Sequence, residues 1–276
     1  MKIGFIDYYL DEWHANEYPR MIREQSGGRM EVCFAYGCIP SSISGKTSEE
    51  WCGEQGIALC ATIEEVVEKS DVLVVLSPDN CEMHEELSRL PLQSGKRTYI
   101  DKTFAPTKKA AEAILSLAES CGTPCYSTSA LRFAAEYQPL RGSRINAAAF
   151  QGPSGMDTYG VHQLEPMVML MGGTVKRVMA LRKGEWAQWL LEWEDSRVSS
   201  VLCTGGASPF LANLSLEEGC RAVEVKSDFF KVFIDNLIAF FESGEIPVPH
   251  EETIAVMAVR EAALKALERT GEWISL

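Results

Sequence analysis

No Cys-x-x-Cys pair occurs among the nine cysteines. The nearest couples, Cys33/Cys38 and Cys121/Cys125, have no second pair at zinc-site spacing. No metal site is therefore expected, and the thiols read as reduced packing residues of a cytoplasmic protein. Positive charge is also scarce: 26 Lys and Arg face 39 Asp and Glu, leaving a net charge of −13. Duplex nucleic acid requires clustered cations against its phosphates, so it is not an expected partner. No apolar run reaches the roughly 18 residues of a membrane span. The start, Met1-Lys-Ile-Gly-Phe-Ile-Asp7, turns acidic too early for a secretory signal. Internal repeats and low-complexity segments are absent as well.

What is present is ordinary globular material, 46% hydrophobic and 24% charged, in a chain of 276 residues that is long enough for two domains. Over residues 1–128 short apolar runs alternate with helical periodicity. Strands are expected at 2–6, 30–36, 57–60, 71–76, 98–100 and 124–128. Helical patterns lie between them, several opened by Ser/Thr/Asp/Asn and closed by Gly. Asp71-Val-Leu-Val-Val-Leu76 is a continuous apolar run of the kind buried on both faces. Such alternation predicts an α/β domain with a Rossmann-like, doubly wound parallel sheet. Residues 129–276 change rhythm. A strand at 144–151 and a helix at 157–171 precede five strand-like runs between 175 and 225 without intervening helices, and two helices finish the chain. That pattern predicts an α+β domain with an open antiparallel sheet.

In an open parallel sheet, ligands bind outside the carboxyl ends of the strands. Asp7, Tyr36, Ser77 and Lys102 all fall near those ends. Lys102 follows the run Thr98-Tyr-Ile-Asp101, where it can hold a point charge or, if desolvated, lose its proton. A dinucleotide fold usually carries Gly-x-Gly-x-x-Gly in its first strand-to-helix turn. Here the turn reads Asp7-Tyr-Tyr-Leu-Asp-Glu-Trp-His14, with bulk and negative charge in place of glycine. The acid expected after the second strand is replaced by Ala35-Tyr36-Gly37. Ser44-Gly-Lys-Thr47 looks like the tail of a P-loop, but Pro40 stands where its first glycine belongs, and a solvated loop is the better reading. In the second domain Asp157-Thr-Tyr-Gly-Val-His162-Gln163 places Thr158 and His162 on one helical face. A histidine in a polar cluster is suited to moving protons near neutral pH.

Together these stretches resemble the glucose–fructose oxidoreductase/inositol dehydrogenase family, Gfo/Idh/MocA. The residues that carry the resemblance are Leu76-Ser-Pro-Asp79, Gly95-Lys96 through Asp101-Lys102-Thr103, Ser129-Ala-Leu-Arg-Phe133 and Tyr159-Gly-Val-His162. The resemblance spans nearly the whole chain. It implies an oxidoreductase moving hydride between NAD or NADP and a sugar, cyclitol or related hydroxyl or carbonyl compound, with Lys102 and His162 catalytic. It also implies cofactor contacts from Asp7, Tyr8, Tyr36, Ser77, Pro78, Asp101 and Lys102. Substrate contacts would come from Trp13, His14, Arg132, Asp157, Thr158, Tyr159 and Gln163. A homo-oligomer through the second sheet is implied too. The family's aspartate four residues before the histidine is Thr158 here, with Asp157 rotated by about 100° on the helix. The missing glycines keep two alternatives open: a cofactor-free relative acting in sugar binding, regulation or scaffolding, and a redox-neutral lyase or glycosidase with tightly held NAD.

Overall fold

The computed structural model describes residues 1–276. They fall into two compact units, Met1–Thr128 with Phe233–His250, and Ser129–Val232 with Glu251–Leu276. The first unit alternates strands and helices: Lys2–Asp7 (β1), Trp13–Gln25 (α1), Glu31–Gly37 (β2), Ser48–Gln55 (α2), Ala58–Leu59 (β3), Ile63–Lys69 (α3), Val72–Val75 (β4), His84–Gln93 (α4), Thr98–Ile100 (β5), Lys108–Cys121 (α5) and Cys125–Tyr126 (β6). All pairings are parallel, in the order β3-β2-β1-β4-β5-β6. The order reverses between β1 and β4, which is the topological switch point where such sheets bind ligands.

Local chemistry explains the elements. Every residue of β4 is buried, because helices cover both faces of the sheet. Thr47 and Glu50 form a reciprocal capping box at the start of α2, and Gly56 ends that helix in the left-handed conformation. Gly4 lets α3 close on β1: a Cβ there would lie 2.3 Å from Ser70 Oγ. The carboxy-terminal domain expected from the sequence as one continuous stretch is instead interrupted, since residues 233–250 belong to the first unit. The reason is aromatic packing. The Phe233 ring lies 5.7 Å from Tyr18 and 5.4 Å from Tyr99, and Phe240 lies 4.8 Å from Tyr126, edge to face.

The second unit contains Ile145–Gly152 (β7), Met156–Met171 (α6), Val175–Lys183 (β8), Trp186–Trp193 (β9), Val198–Cys203 (β10), Leu211–Leu216 (β11), Gly219–Glu224 (β12), Trp273–Ser275 (β13) and nearly all of the helix His250–Glu268 (α8); the helix Phe229–Ser243 (α7) belongs to the first unit from Phe233 onward. Its sheet runs β12-β11-β7-β10-β9-β8-β13. It is mixed rather than wholly antiparallel, because β10 pairs with β7 in parallel. α6 and the β8–β9 hairpin separate those two strands, a connection long enough for a parallel crossover. The short strand β13 carries no sequence pattern of its own; it pairs with β8, and the Arg177 guanidinium sits 4.4 Å from the Trp273 ring centroid. α6 is positioned by Trp189 on β9. A Cβ on Gly160 would come within 2.5 Å of the indole, whose Nε1 donates to Ala263 O on α8 at 3.0 Å. No helix is long and apolar enough to cross a membrane.

Candidate functional site

The carboxyl edge of the first sheet gathers Asp7 from the end of β1, Ser77 and Pro78 after β4, and Asp101 and Lys102 after β5. Asp7 and Asp101 are both 1% exposed, whereas Lys102, Pro78, Tyr8 and Tyr36 are half-buried. Ser77 is buried with φ 71°, and its Oγ donates to Asn80 O at 3.1 Å. At the start of α1, Trp13 is exposed and His14 is buried. His14 Nδ1 lies 3.2 Å from Glu12 Oε2 and 3.3 Å from Asp101 Oδ2. Asp101 Oδ1 also accepts from the Tyr99 hydroxyl at 2.9 Å.

The electrostatics are dominated by buried acid. Neither carboxylate oxygen of Asp7 makes a hydrogen bond of normal geometry. Its pKa is raised well above the usual carboxylate range, first by burial and next by the charge of Glu12. Burial also lifts the phenols of Tyr18 and Tyr99, and the Asp101 charge adds to both shifts. No group of three or more His, Cys, Asp or Glu side chains is arranged to hold a metal ion.

In the second unit, His162 is half-buried on α6, with Nδ1 2.7 Å from Ser129 Oγ and its ring 4.8 Å from that of Tyr159. Asp157, Thr158 and Tyr159 are exposed, and Asp157 Oδ1 accepts from Thr158 N. Two expected substrate contacts are placed elsewhere. Arg132 is 2% exposed and pairs with Glu165 at 3.2 Å and Glu252 at 2.6 Å, which makes it an internal counter-ion. Gln163 is fully buried against Gly152, where an added Cβ would meet its amide at 2.0 Å. Helix geometry accounts for Gln163: one residue beyond His162, it points about 100° away, into the core.

No family model matches the sequence, and no curated protein matches it. Solved structures do match. GenD2 from gentamicin A biosynthesis, solved with NAD, superposes with a TM-score of 0.78 at 11% identity, covering 100% of this chain and 96% of that one. The WlbA dehydrogenase from Bordetella pertussis, solved with NADH and UDP-GlcNAcA, gives 0.77 at 14% identity over 100% and 98%. The scyllo-inositol dehydrogenase from Lactobacillus casei, solved with NAD(H) and scyllo-inositol, gives 0.77 at 12% identity over 99% and 98%.

This chain has the Gfo/Idh/MocA fold.

A dinucleotide-binding fold of this type seats the pyrophosphate on the N-terminus of the helix after β1, where free N–H groups and the helix dipole favour an anion. In this chain that seat is filled from within. Glu12 is the N-cap of α1, 5% exposed, and its carboxylate accepts from the N–H groups of His14, at 2.8 Å, and Ala15. Its neighbour Asp101 would repel a phosphate as well. Across the switch point the Tyr9 hydroxyl donates to Asp79 Oδ2 at 3.1 Å, tying the β1–α1 turn to the segment after β4. At the end of β2, where a ribose-binding acid would stand, Leu10 packs on Gly37: a Cβ on that glycine would lie 3.2 Å from Leu10 Cγ and 2.5 Å from Ser48 Oγ.

The polar loop after β2 is equally engaged. Ser44 Oγ donates to Asp11 Oδ2 at 2.6 Å, Lys46 pairs with Glu54 at 2.7 Å, and Thr47 caps α2. Hydrogen bonds from Ser44 and then Asn16 hold the Asp11 carboxyl below its ordinary pKa. The residues present therefore do not fit a dinucleotide in the seat this fold normally uses. Glu12 would have to leave the helix, and the Tyr9–Asp79 link would have to open. Of the expected site residues, the structure brings Asp7, His14 and Asp101 together. Glu12, which organises them, was not singled out from sequence. Its signal was an acid immediately before a helical pattern, at a position where a carboxylate can cap.

Proposed function

We propose that this chain binds a neutral, polyhydroxylated, carbohydrate-like compound and carries out proton handling on it without a dinucleotide in the β1–α1 seat. One observation carries the reading, the Glu12 carboxylate on the N–H groups of α1 in place of pyrophosphate. Lys102, half-buried at the end of β5, is the charge that polarises a ligand oxygen in the first unit. His162, steadied by Ser129 at Nδ1, is the proton carrier of the second. The buried acids Glu12 and Asp101 favour a neutral ligand over an anionic one in the first unit. The fold of sugar and cyclitol dehydrogenases supports the carbohydrate-like class.

The test is calorimetric titration with NADH and NADPH, together with mass analysis of what the denatured protein releases. The expected results are no saturable binding at millimolar cofactor and no co-purified dinucleotide. Saturable binding of either would overturn the reading and restore hydride transfer, which Lys102 and His162 otherwise favour.

Self-association through the second sheet completes the proposal. Ala147, Ala149, Leu190, Val198, Ser200 and Trp273 line a shallow groove of about 690 Å³ on the face of that sheet, and Val198 is 55% exposed. Small apolar side chains on a broad sheet suit contact with a second copy. Val198→Lys is expected to convert a dimer to a monomer in sedimentation velocity while leaving the circular dichroism spectrum unchanged. A wild-type protein that sediments as a monomer would remove this part of the proposal.

A further inference from the structure

The first unit contains a histidine held in one tautomer with a reactive nitrogen left over. His14 Nδ1 is hydrogen-bonded to Glu12 Oε2 at 3.2 Å and lies 3.3 Å from Asp101 Oδ2, a charge contact without hydrogen-bond geometry. A carboxylate accepts and does not donate, so the Nδ1 position must carry the proton. The Nε2 lone pair is then the free end of the ring. No hydrogen bond within the molecule reaches Nε2, it is not among the sealed polar atoms, and the side chain keeps 10% of its surface exposed. The ring is fixed edge-on to both Trp13, at 5.2 Å, and Tyr18, at 5.1 Å. It lies at the carboxyl edge of the sheet, on the residue that follows the exposed Trp13.

We propose that His14 is a proton-accepting residue of the first unit, with Glu12 and Asp101 as the groups that position it. The logic is that of a base oriented by carboxylates: one ring nitrogen is held, the other faces the reactant. When a ligand hydroxyl reaches Nε2, its O–H bond breaks, an Nε2–H bond forms, and the electron pair stays on the ligand oxygen. The imidazolium so formed is paired at once with Glu12 and Asp101. Asp7 at the end of β1 adds to the field when ionised, the Tyr18 ring packs against the imidazole from α1, and the Tyr99 hydroxyl on β5 donates to Asp101. Only the choice of a hydroxyl as proton donor rests on the function proposed above. The tautomer and the free nitrogen stand on geometry within the unit.

Two measurements on the full chain, neither needing a ligand, test this independently of cofactor binding. Long-range proton–nitrogen correlation spectra of histidine-labelled protein report the tautomer, and His14→Gln identifies the signal among the four histidines. The expected result is the Nδ1–H form for neutral His14. Diethyl pyrocarbonate, which acylates an unprotonated accessible imidazole, should modify His14 and spare His84, which is fully buried between Phe104 O and Leu76 O. Asp101→Asn or Glu12→Gln is expected to slow acylation of His14 by about tenfold or more, as loss of an orienting carboxylate does in related constellations, and Asp101→Glu to restore part of it. An Nε2–H tautomer, an unreactive His14, or a rate indifferent to both carboxylates would overturn the proposal. Circular dichroism of each variant separates these outcomes from unfolding.

Discussion

Arg132→Ala is expected to destabilise the second unit by about 3–5 kcal/mol, the usual cost of removing one partner from a buried ion pair. The guanidinium is 2% exposed and lies between Glu165, 4% exposed on α6, and Glu252, 28% exposed on α8. Without it, Glu165 loses its guanidinium counter-ion in the core, in the middle of the helix that also carries His162. Most of the cost is that buried charge deprived of its counter-ion, so Arg132→Met combined with Glu165→Met should recover much of the loss. Denaturant titration of the single and double variants measures both effects. A loss below about 1 kcal/mol in Arg132→Ala would return the arginine to the role of solvent-facing ligand contact, since exposed pairs contribute no more than that.

Asp7→Asn is expected to act in the opposite direction and stabilise the first unit at neutral pH. Asp7 is raised in the folded state, so over a window above the ordinary carboxylate range the folded chain binds a proton that the unfolded chain does not. Stability from this group is therefore greatest at acid pH. It declines as pH rises from the unfolded value towards the raised folded value, and it is flat above that. Asparagine, neutral throughout, removes the decline and can donate towards Glu12 and Asp101. The variant should melt higher at pH 7 by at least about 2–4 °C, the shift that 1 kcal/mol produces in a domain of roughly this size. Its melting temperature should also depend less on pH from mildly acidic to neutral conditions than that of the wild type. A lower melting temperature at pH 7 would mean that ionised Asp7 is held by interactions stronger than the backbone N–H groups of Tyr8 and Tyr9.

These two residues mark where reading the chain succeeds and where it stops. Asp7 was legible as a residue at a strand end because parallel strands are written in continuous apolar runs, and the residue after such a run falls on the ligand edge. Its partner Glu12 was not legible. Whether an acid before a helix caps that helix or reaches solvent depends on a rotamer and on the space beside it, and neither is written in periodicity. Arg132 shows the converse failure. An arginine at a domain junction is ordinarily exposed, and only the convergence of α6 and α8 on it, 33 and 120 residues away in sequence, makes it a counter-ion.

The sequence by itself determined the alternating first domain, the strand-rich second one and the absence of a glycine cradle, because burial patterns and turn chemistry are local properties of the chain. Tertiary structure decided the rest. It showed that residues 233–250 return to the first unit, that one strand pair in the second sheet is parallel, and that the vacant glycine motif is replaced by a capping carboxylate. It also brought Glu12 and Asp101 to the His14 imidazole, with Asp7 beside those two acids. Apart from the cap, which a rotamer decides, contacts between residues far apart in the chain set those features, and no local pattern encodes a distance.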